Sequence, residues 1–455
     1  MASRLPEAVA ILRRRGPSRF VEIRAELGSP DRATFSRWLR AGAGAVVSFG
    51  QKRTGVFYAV PRQLERVGSR WPIHVVGHDG VPEALGELLA VEPRGFVVVA
   101  AQSMPRWMHG EHGHGMFDGV PFFLGDARPQ GYLGRSLARR LAAEIGVPER
   151  LSDWQERHVV AALTLAGDDN PGAMLVGVGP YEHHMRRLLA APPRPLAGDL
   201  ATTYEQLASD TLAGEVPGSS AAGEQPKFTA FAGADAPRHV LVKFSPERDG
   251  DVAERWADLL VCEHLAHEVA RAAGIATVSS RIIDGAHRRF LEVERFDRIG
   301  ALGRRAALSL LAVDAEYFGE LDTWPEASRR LLARRWLSPV DADTLLFLWL
   351  FSGLIANADR HFGNITLLPE ADGFRLAPMY DVLPMLFAPQ AGELIERAYE
   401  PPAPAVGQIV SWRRAARAGV AFWDAVASDP RITRGFRDRA ADCALTITRA
   451  LARLG

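Results

Sequence analysis

Cysteine is nearly absent from this chain. Two in 455 residues, Cys262 and Cys443, do not build a disulfide framework. Each sits in a helix-like pattern, so buried free thiols in a reducing compartment are expected. A run long enough to span a bilayer is missing too. The apolar segment Leu345 to Ala356 falls well short of the roughly 20 residues required. The first residues carry no apolar signal core, and the expected location is the cytoplasm. There is no excess of charge: 54 Lys and Arg balance 54 Asp and Glu, so the chain as a whole is no polycation. Internal repeats are not evident. The length suits two to four domains with sizeable cores.

What is present is concentrated in one stretch, Leu345 to Asp381. It opens on the apolar run, which reads as a buried helix. It then turns polar at Asn357, Asp359, Arg360, His361 and Asn364, returns to apolar residues, and passes through a polar turn to Met379-Tyr380-Asp381. A carboxylate, an amide five residues on, and a second carboxylate after a hairpin is what phosphoryl transfer needs. Asp359 can orient an attacking hydroxyl and accept its proton. Asn364 and Asp381 can hold Mg²⁺ on nucleotide phosphates. Protein kinases space their catalytic-loop Asp and Asn in the same way. The plainer reading, a surface turn rich in good turn formers, leaves the second acid beside two apolar segments unexplained.

The balanced charge hides an asymmetry. Residues 1–62 hold 12 Lys and Arg against 4 Asp and Glu, a net of 12 − 4 = +8, which points to a segment facing nucleic acid. Periodicity predicts helices over 5–14, 19–27 (N-capped by Ser18) and 31–40, then two strands flanking Gly50 to Gly55. Three helices and a basic-tipped hairpin describe a winged helix-turn-helix. Arg32, Ser36, Arg37 and Arg40 lie opposite Phe35, Trp38 and Leu39 and would meet a major groove, with Lys52 and Arg53 on phosphates. The alternative is a small helical domain with a solvated basic face.

Residues 74–130 read as α/β: a strand at HVVGHDG, a helix at EALGELLAV and a buried strand at GFVVVAA. His109, Glu111, His112 and His114 are candidate metal ligands, but no cysteine joins them and the glycine-rich setting favours a loop. Segments 129–131 and 168–172 read as turns, and 191–199 as a proline-rich linker. Next comes a Gly/Ser-rich loop within 216–231, containing Ser220, Ala221, Ala222 and Gly223, whose N–H groups can approach phosphates. Lys243 is a lone cation in the strand Val240 to Phe244. It can reach α- and β-phosphates; the alternative is an edge lysine blunting the strand. By analogy with the kinase helix that follows such a strand, Glu263 is a candidate partner, and a solvated glutamate is the equal alternative. Residues 290–300 run from strand to loop, as a hinge gripping adenine would. From 305 onward the pattern is mostly helical.

Glycine-serine loop, strand lysine, hinge, Asp-x₄-Asn, hairpin and Asp follow in order. In that order the chain resembles the HipA-type serine/threonine kinases of bacterial toxin–antitoxin systems. The likeness covers about residues 75–455. It rests on N-A-D-R-H-F-G-N (357–364), M-Y-D (379–381), V-E-R-F-D-R (293–298) and S-A-A-G-E-Q-P-K (220–227), with PQGYLGR and GDDNPGA in support. It implies an α+β, bilobal protein-kinase-like fold with an α/β N-lobe and a mostly helical C-lobe. The implied domains are 1–70 (winged helix-turn-helix), 71–200 (N-terminal subdomain), 201–297 (ATP-binding part of the N-lobe) and 298–455 (helical C-lobe). By the same resemblance, Asp359 is the base, His361 orders its loop, Asn364 and Asp381 bind Mg²⁺, and Lys243 contacts ATP phosphates. Glu294 and Phe296 would supply backbone contacts to adenine, and Asp297 would reach the ribose. Ser220, with Ser219 as its neighbour, matches the serine whose autophosphorylation ejects the loop and inactivates the kinase. The substrate would be a protein, with translation components expected. The fused N-terminal domain resembles the YjjJ branch. It leaves open whether a separate antitoxin exists, and the oligomeric state, a homodimer included, is open as well. Two other readings stand beside this one: a small-molecule kinase, and a transcription regulator whose kinase fold is a sensor.

Overall fold

The structure is a computed structural model that describes all residues except 1–2, 29, 43, 52–54, 102–103, 130, 214–224 and 455. The chain forms two compact units. One comprises residues 1–129, 138–191 and 315–319; the other comprises 130–137, 192–314 and 320–455.

The first unit begins with α1 (Leu5–Arg15), β1 (Ser18–Arg19), α2 (Phe20–Leu27), α3 (Arg32–Ala41) and the hairpin β2 (Val47–Gln51) and β3 (Gly55–Ala59). The strands form a sheet in the order β1-β3-β2. Asp31 caps α3 by accepting the Thr34 N–H at 2.7 Å. Ser18 is not the cap of α2, as the sequence predicts; it pairs with Tyr58 in the sheet, and Arg19 takes the cap position. Ile11, Leu12, Ile23, Leu27, Phe35 and Tyr58 are among the residues closing the core of this segment. Alternate residues of the hairpin face the other way, as strand geometry requires. Val47, Phe49, Phe57 and Ala59 pack with Leu89, Val91 and Val97, so β3 is buried on both faces, while Ser48 and Gly50 leave the other face of β2 exposed.

Leu89 and Val97 lie on β5 and β6 of the set β4 (Arg70–Val76), β5 (Pro82–Ala90), β6 (Phe96–Ala100) and β7 (Met116–Phe117), and Val91 directly follows β5; α4 (Gly131–Ile145), α5 (Glu156–Ala166), β8 (Met174–Val176) and α6 (Val178–Leu189) come next. The sheet order is β7-β6-β5-β4-β8 and every pairing is antiparallel. The segment expected as a helix, EALGELLAV, is largely the strand β5. Ala, Leu and Glu favour helix by only a few tenths of a kcal/mol each, roughly, whereas β5 gains a hydrogen-bonded ladder on both edges. Gly86 was the overlooked signal: a Cβ there would stand 2.3 Å from the Val99 carbonyl oxygen, a close approach typical of glycine within strands. The histidines near this sheet diverge. His109 Nε2 lies 3.1 Å from the Met104 carbonyl, His112 pairs with Asp118 at 3.1 Å, and His114 lies on the Phe57 ring at 4.8 Å. Among the described residues no group of three or more His, Cys, Asp or Glu is placed to hold a metal ion.

The second unit contains α7 (Leu200–Ala213), β9 (Lys227–Ala232), β10 (Arg238–Phe244), α8 (Asp251–Ala272), β11 (Ser280–Asp284) and β12 (Arg289–Glu294). Their sheet is antiparallel in the order β11-β12-β10-β9. One face buries Phe228, Phe244 and Phe290 with Tyr204 of α7. The other packs Leu291 and Val293 with Leu260 of α8. The proline-rich segment is tied down rather than loose: Leu196 donates its N–H to the Phe231 carbonyl at 2.7 Å. Short strands β13 (Arg298–Ile299), β14 (Gly303–Arg304) and β15 (Leu308–Ser309) lead to α9 (Leu310–Tyr317), α10 (Trp324–Ala333) and α11 (Pro339–Leu354). Then come β16 (Thr366–Pro369), β17 (Phe374–Leu376), α12 (Ile409–Ser428) and α13 (Arg434–Arg453). Cys262 on α8 and Cys443 on α13 are buried free thiols. No helix among the described residues is long and apolar enough to cross a membrane.

Candidate active site

The site forms where α11 stops. Ala356 adopts a left-handed conformation (φ 60) and Asn357 N–H reaches back to the Ser352 carbonyl at 2.8 Å, the closing pattern of a Schellman end. The chain is thereby turned sharply into residues 357–364. Two asparagines then hold the backbone of Asp359. Asn357 Oδ1 accepts the Asp359 N–H at 2.9 Å, and Asn364 Nδ2 donates to the Asp359 carbonyl at 2.8 Å. The Asp359 carboxylate takes no part in this scaffold and is 52% exposed. His361 Nε2 stands 3.7 Å from it, longer than a hydrogen bond, while His361 Nδ1 accepts the Gly363 N–H at 3.0 Å. Trp324 donates its indole N–H to the His361 carbonyl at 3.2 Å, and Arg360 lies over the Trp349 ring at 4.2 Å. The loop is fastened through its main chain and flanking side chains, and the Asp359 carboxylate is left outside these ties.

The second acid arrives on the turn after β17. Tyr380 bonds Thr366 at 2.8 Å and donates to the Gly363 carbonyl at 3.2 Å, joining this turn to the loop. Asp381 itself is left-handed (φ 55), a conformation that costs a non-glycine residue about 1–3 kcal/mol and clusters at functional sites. Its Oδ1 accepts a hydrogen bond from Lys243 Nζ. Lys243, on β10, also bonds both carboxylate oxygens of Glu263 on α8, at 2.9 and 2.7 Å. Lys243 and Glu263 are almost fully buried. Burial works against the Lys243 charge, but Asp381 and Glu263 more than offset it and raise the ammonium pKa. Burial also works against the Asp381 carboxylate, yet the Lys243 cation holds its pKa down at about 2. Glu263 is pushed upward by burial, with Lys243 opposing.

The donor chemistry fits a hard divalent cation. Asp381 is ionised, and Asn364 spends its amide nitrogen on Asp359, which leaves Oδ1 as the end with lone pairs to offer. Carboxylate and amide oxygens are what Mg²⁺ takes, usually alongside phosphate and water.

Residues 294–297 are placed differently from a bare hinge. Glu294 N–H is spent on the Ser279 carbonyl at 2.9 Å. Phe296 packs on the Tyr380 ring at 5.6 Å, and its carbonyl accepts from Arg305 at 3.5 Å. Asp297 is buried and held by Arg295 at 3.0 Å and Arg298 at 2.6 Å. Sequence reasoning missed this clamp, although two arginines flank the acid in V-E-R-F-D-R. It also missed two histidines on α8, His264 and His267, which share the Ser280 hydroxyl. Ser219, Ser220, Ala221, Ala222 and Gly223, like Lys52 and Arg53, lie outside the described residues. On α3, Arg32, Arg37 and Arg40 are exposed and Ser36 is half-buried. Arg37 bonds the Thr34 hydroxyl at 2.9 Å.

A family described as YjjJ-like toxin, middle domain, matches residues 67–185, and one described as HipA-like C-terminal domain matches residues 219–448. A protein of Escherichia coli (strain K12), "Toxin YjjJ", is 38% identical over 427 residues, 93% of each chain. Among solved structures, HipA from the Shewanella oneidensis MR-1 complex of HipA, HipB and operator DNA matches with a TM-score of 0.58 at 18% identity. That match covers 84% of this chain and 97% of that one, and is a likeness of fold. The Helicobacter pylori kinase CtkA is a looser match, with a TM-score of 0.34 at 11% identity over 53% of this chain and 96% of that one.

Proposed function

The chain belongs to the YjjJ-like, HipA-type toxins, and from that premise we propose that it is an ATP- and Mg²⁺-dependent protein serine/threonine kinase carrying its own DNA-binding domain. The observation that carries the reading is Lys243, buried between Glu263 and Asp381. A cation fixed there is preorganised to receive phosphate oxygens. Asn364 and Asp381 would hold the metal, which when bound supplies charge neutralisation on the phosphates. Asp359, its backbone fixed and its carboxylate half-exposed, orients the attacking hydroxyl and accepts its proton. The test is incubation of purified protein with MgATP and candidate protein acceptors, followed by mass spectrometry. ATP left intact, with no phosphate on any Ser or Thr, sinks the reading.

The Gly/Ser loop supplies an off-switch in this proposal. A phosphate on Ser220 adds about −1.5 to −2 charge at neutral pH. It would compete for the N–H groups that otherwise cradle ATP, so ATP affinity is expected to collapse. Mass spectrometry after incubation with MgATP should place the phosphate on Ser220, or on Ser219 beside it. Active enzyme that leaves both serines bare removes autoinhibition from the proposal.

For the N-terminal segment the proposal is a winged helix-turn-helix that binds the protein's own control region. Support comes from the net positive charge, the exposed arginines of α3 and the β1-β3-β2 sheet behind them. The Shewanella HipA complex contains HipB and operator DNA; here the DNA-facing part would be fused, and a separate antitoxin is not required. The hairpin's apolar face packs on β5 and β6, so the full chain, not an excised fragment, is the form to assay. Arg37→Ala is expected to cost about 1–3 kcal/mol at the preferred site and to relax its sequence preference. Lys52→Ala is expected to weaken all duplexes alike and lower the salt slope by about one. Titration of upstream and random duplex across a salt series separates the two. Wild-type protein that binds neither duplex at low salt leaves α3 as a solvated basic face.

A further inference from the structure

α8 crosses the four-stranded sheet and touches it at two polar points. One is Glu263 on Lys243 of β10. The other is one turn further along. His267 Nδ1 lies 2.9 Å from Ser280 Oγ of β11, and His264 Nδ1 lies 3.0 Å from the same oxygen. Strands β10 and β11 are not neighbours; β12 runs between them. On β12, Leu291 pairs with Lys243 and Val293 pairs with Ser280. Both side chains pack with Leu260 of α8. The helix therefore rests on an apolar ridge with a polar tie on either side, an arrangement that fixes its rotation about its own axis.

The second tie is built rather than incidental. His267 is fully buried, and its Nε2 has no hydrogen-bond partner. A buried nitrogen left without a partner destabilises the fold, so an apolar side chain would suit the site better if packing were its only task. Burial, then the nearby Lys243 cation, holds the His267 pKa down at about 3, and burial lowers that of His264. Both rings are thus neutral, with one N–H each. Ser280 has one proton to give and lone pairs to accept with, so it can take an N–H from one ring and donate O–H to the other. Glu263 and His267 lie four residues apart and share a helix face. Any roll of α8 that breaks the serine tie moves Glu263 off Lys243.

We propose that Ser280, bridging His264 and His267, is a positioning residue that holds α8 in the rotation at which Glu263 stays on Lys243. The proposal rests on the kinase reading above for its kinetic consequences and on geometry for its structural one. Without the tie, Lys243 keeps Asp381 but loses the carboxylate that fixes it for phosphate. Small misplacements of this kind are costly.

The experiment is a double-mutant cycle on the full chain with MgATP. Ser280→Ala is expected to lower kcat/KM for ATP about tenfold, mainly through KM, because groups that fix a binding residue act through its geometry. Ser280→Thr keeps the hydroxyl and should stay near wild type. In a Glu263→Gln background, Ser280→Ala should cost less than about twofold, since coupled residues are not additive. The same tenfold loss in both backgrounds overturns the proposal. Hydrogen exchange gives a second readout, with the amides of 263–272 exchanging faster in Ser280→Ala than in Ser280→Thr. If Ser280→Ala does not fold, His264→Ala removes one arm of the tie and is expected to show the same loss of protection; unchanged protection overturns the proposal. Wild-type protein that transfers no phosphate refutes the kinase reading instead. The tie is then judged on exchange alone, and equal protection in Ser280→Ala and wild type overturns it.

Discussion

Asp359→Asn and Asp381→Asn are each expected to abolish phosphoryl transfer while leaving the fold intact. The geometry separates the two losses. The Asp359 backbone is held by Asn357 and Asn364, and its carboxylate takes no part in that scaffold. Asparagine at 359 therefore keeps the loop and removes only the proton acceptor, a loss of about 10²–10⁴ in rate from this role alone. Asparagine at 381 removes a charge from the proposed metal shell, and Lys243 keeps its two bonds to Glu263. The variants should differ on titration with Mg²⁺. Asp381→Asn should recover some transfer at high metal concentration, because it binds the ion more weakly. Asp359→Asn should stay inactive at every concentration. Circular dichroism and melting temperature report whether each has folded. A folded variant that transfers phosphate at the wild-type rate shows that its residue was assigned wrongly.

The placement of this site was legible where composition broke a local pattern. A largely apolar run of twelve residues giving way to Asn, Asp, Arg and His is an abrupt change, and the structure ends α11 there with a tight cap. Lys243 stood out as a lone cation among apolar strand residues, and the structure buries it against Glu263. Other features had no such contrast. β5 reads as a helix because Ala, Leu and Glu carry the helical preference, and only its two neighbours in the sheet decide otherwise. The hairpin's alternation shows that it has two faces, but not that both faces of β3 are covered. That fact depends on Leu89, Val91 and Val97, some 30 to 50 residues away in the chain. Ser280 lies in V-S-S-R, where a serine carries no local signal. Its role depends on two histidines that approach from α8. The resemblance offers Asp297 to a ribose, and a single sequence does not show that Arg295 and Arg298 fold back on it.

Lys243→Met is expected to remove nucleotide binding and also to cost about 3–5 kcal/mol of folding stability at neutral pH, the usual penalty for breaking a buried ion pair from one side. Methionine fills similar space, so the loss is electrostatic. It leaves Glu263, which is 1% exposed, and Asp381 without their shared cation. The sign of the pH dependence follows from the wild-type pair. Asp381 is held at about 2, below its ordinary 3.8. A depressed carboxyl pKa contributes stability above the unfolded value and loses it as pH falls through the folded one. Removing Lys243 removes that contribution. It also leaves the burial that raises Glu263 opposed only by the Lys227 charge. Both acids should then take up protons on folding, which is easier in acid than in base. The deficit relative to wild type should therefore be largest near pH 8 and smaller at pH 5, while wild type itself changes little across that range through Asp381. Urea unfolding midpoints of both proteins at the two pH values measure this. A deficit under about 1 kcal/mol, within the range of an exposed pair, would show that Lys243 is not what stabilises these carboxylates. A deficit that is equal at both pH values would show the same.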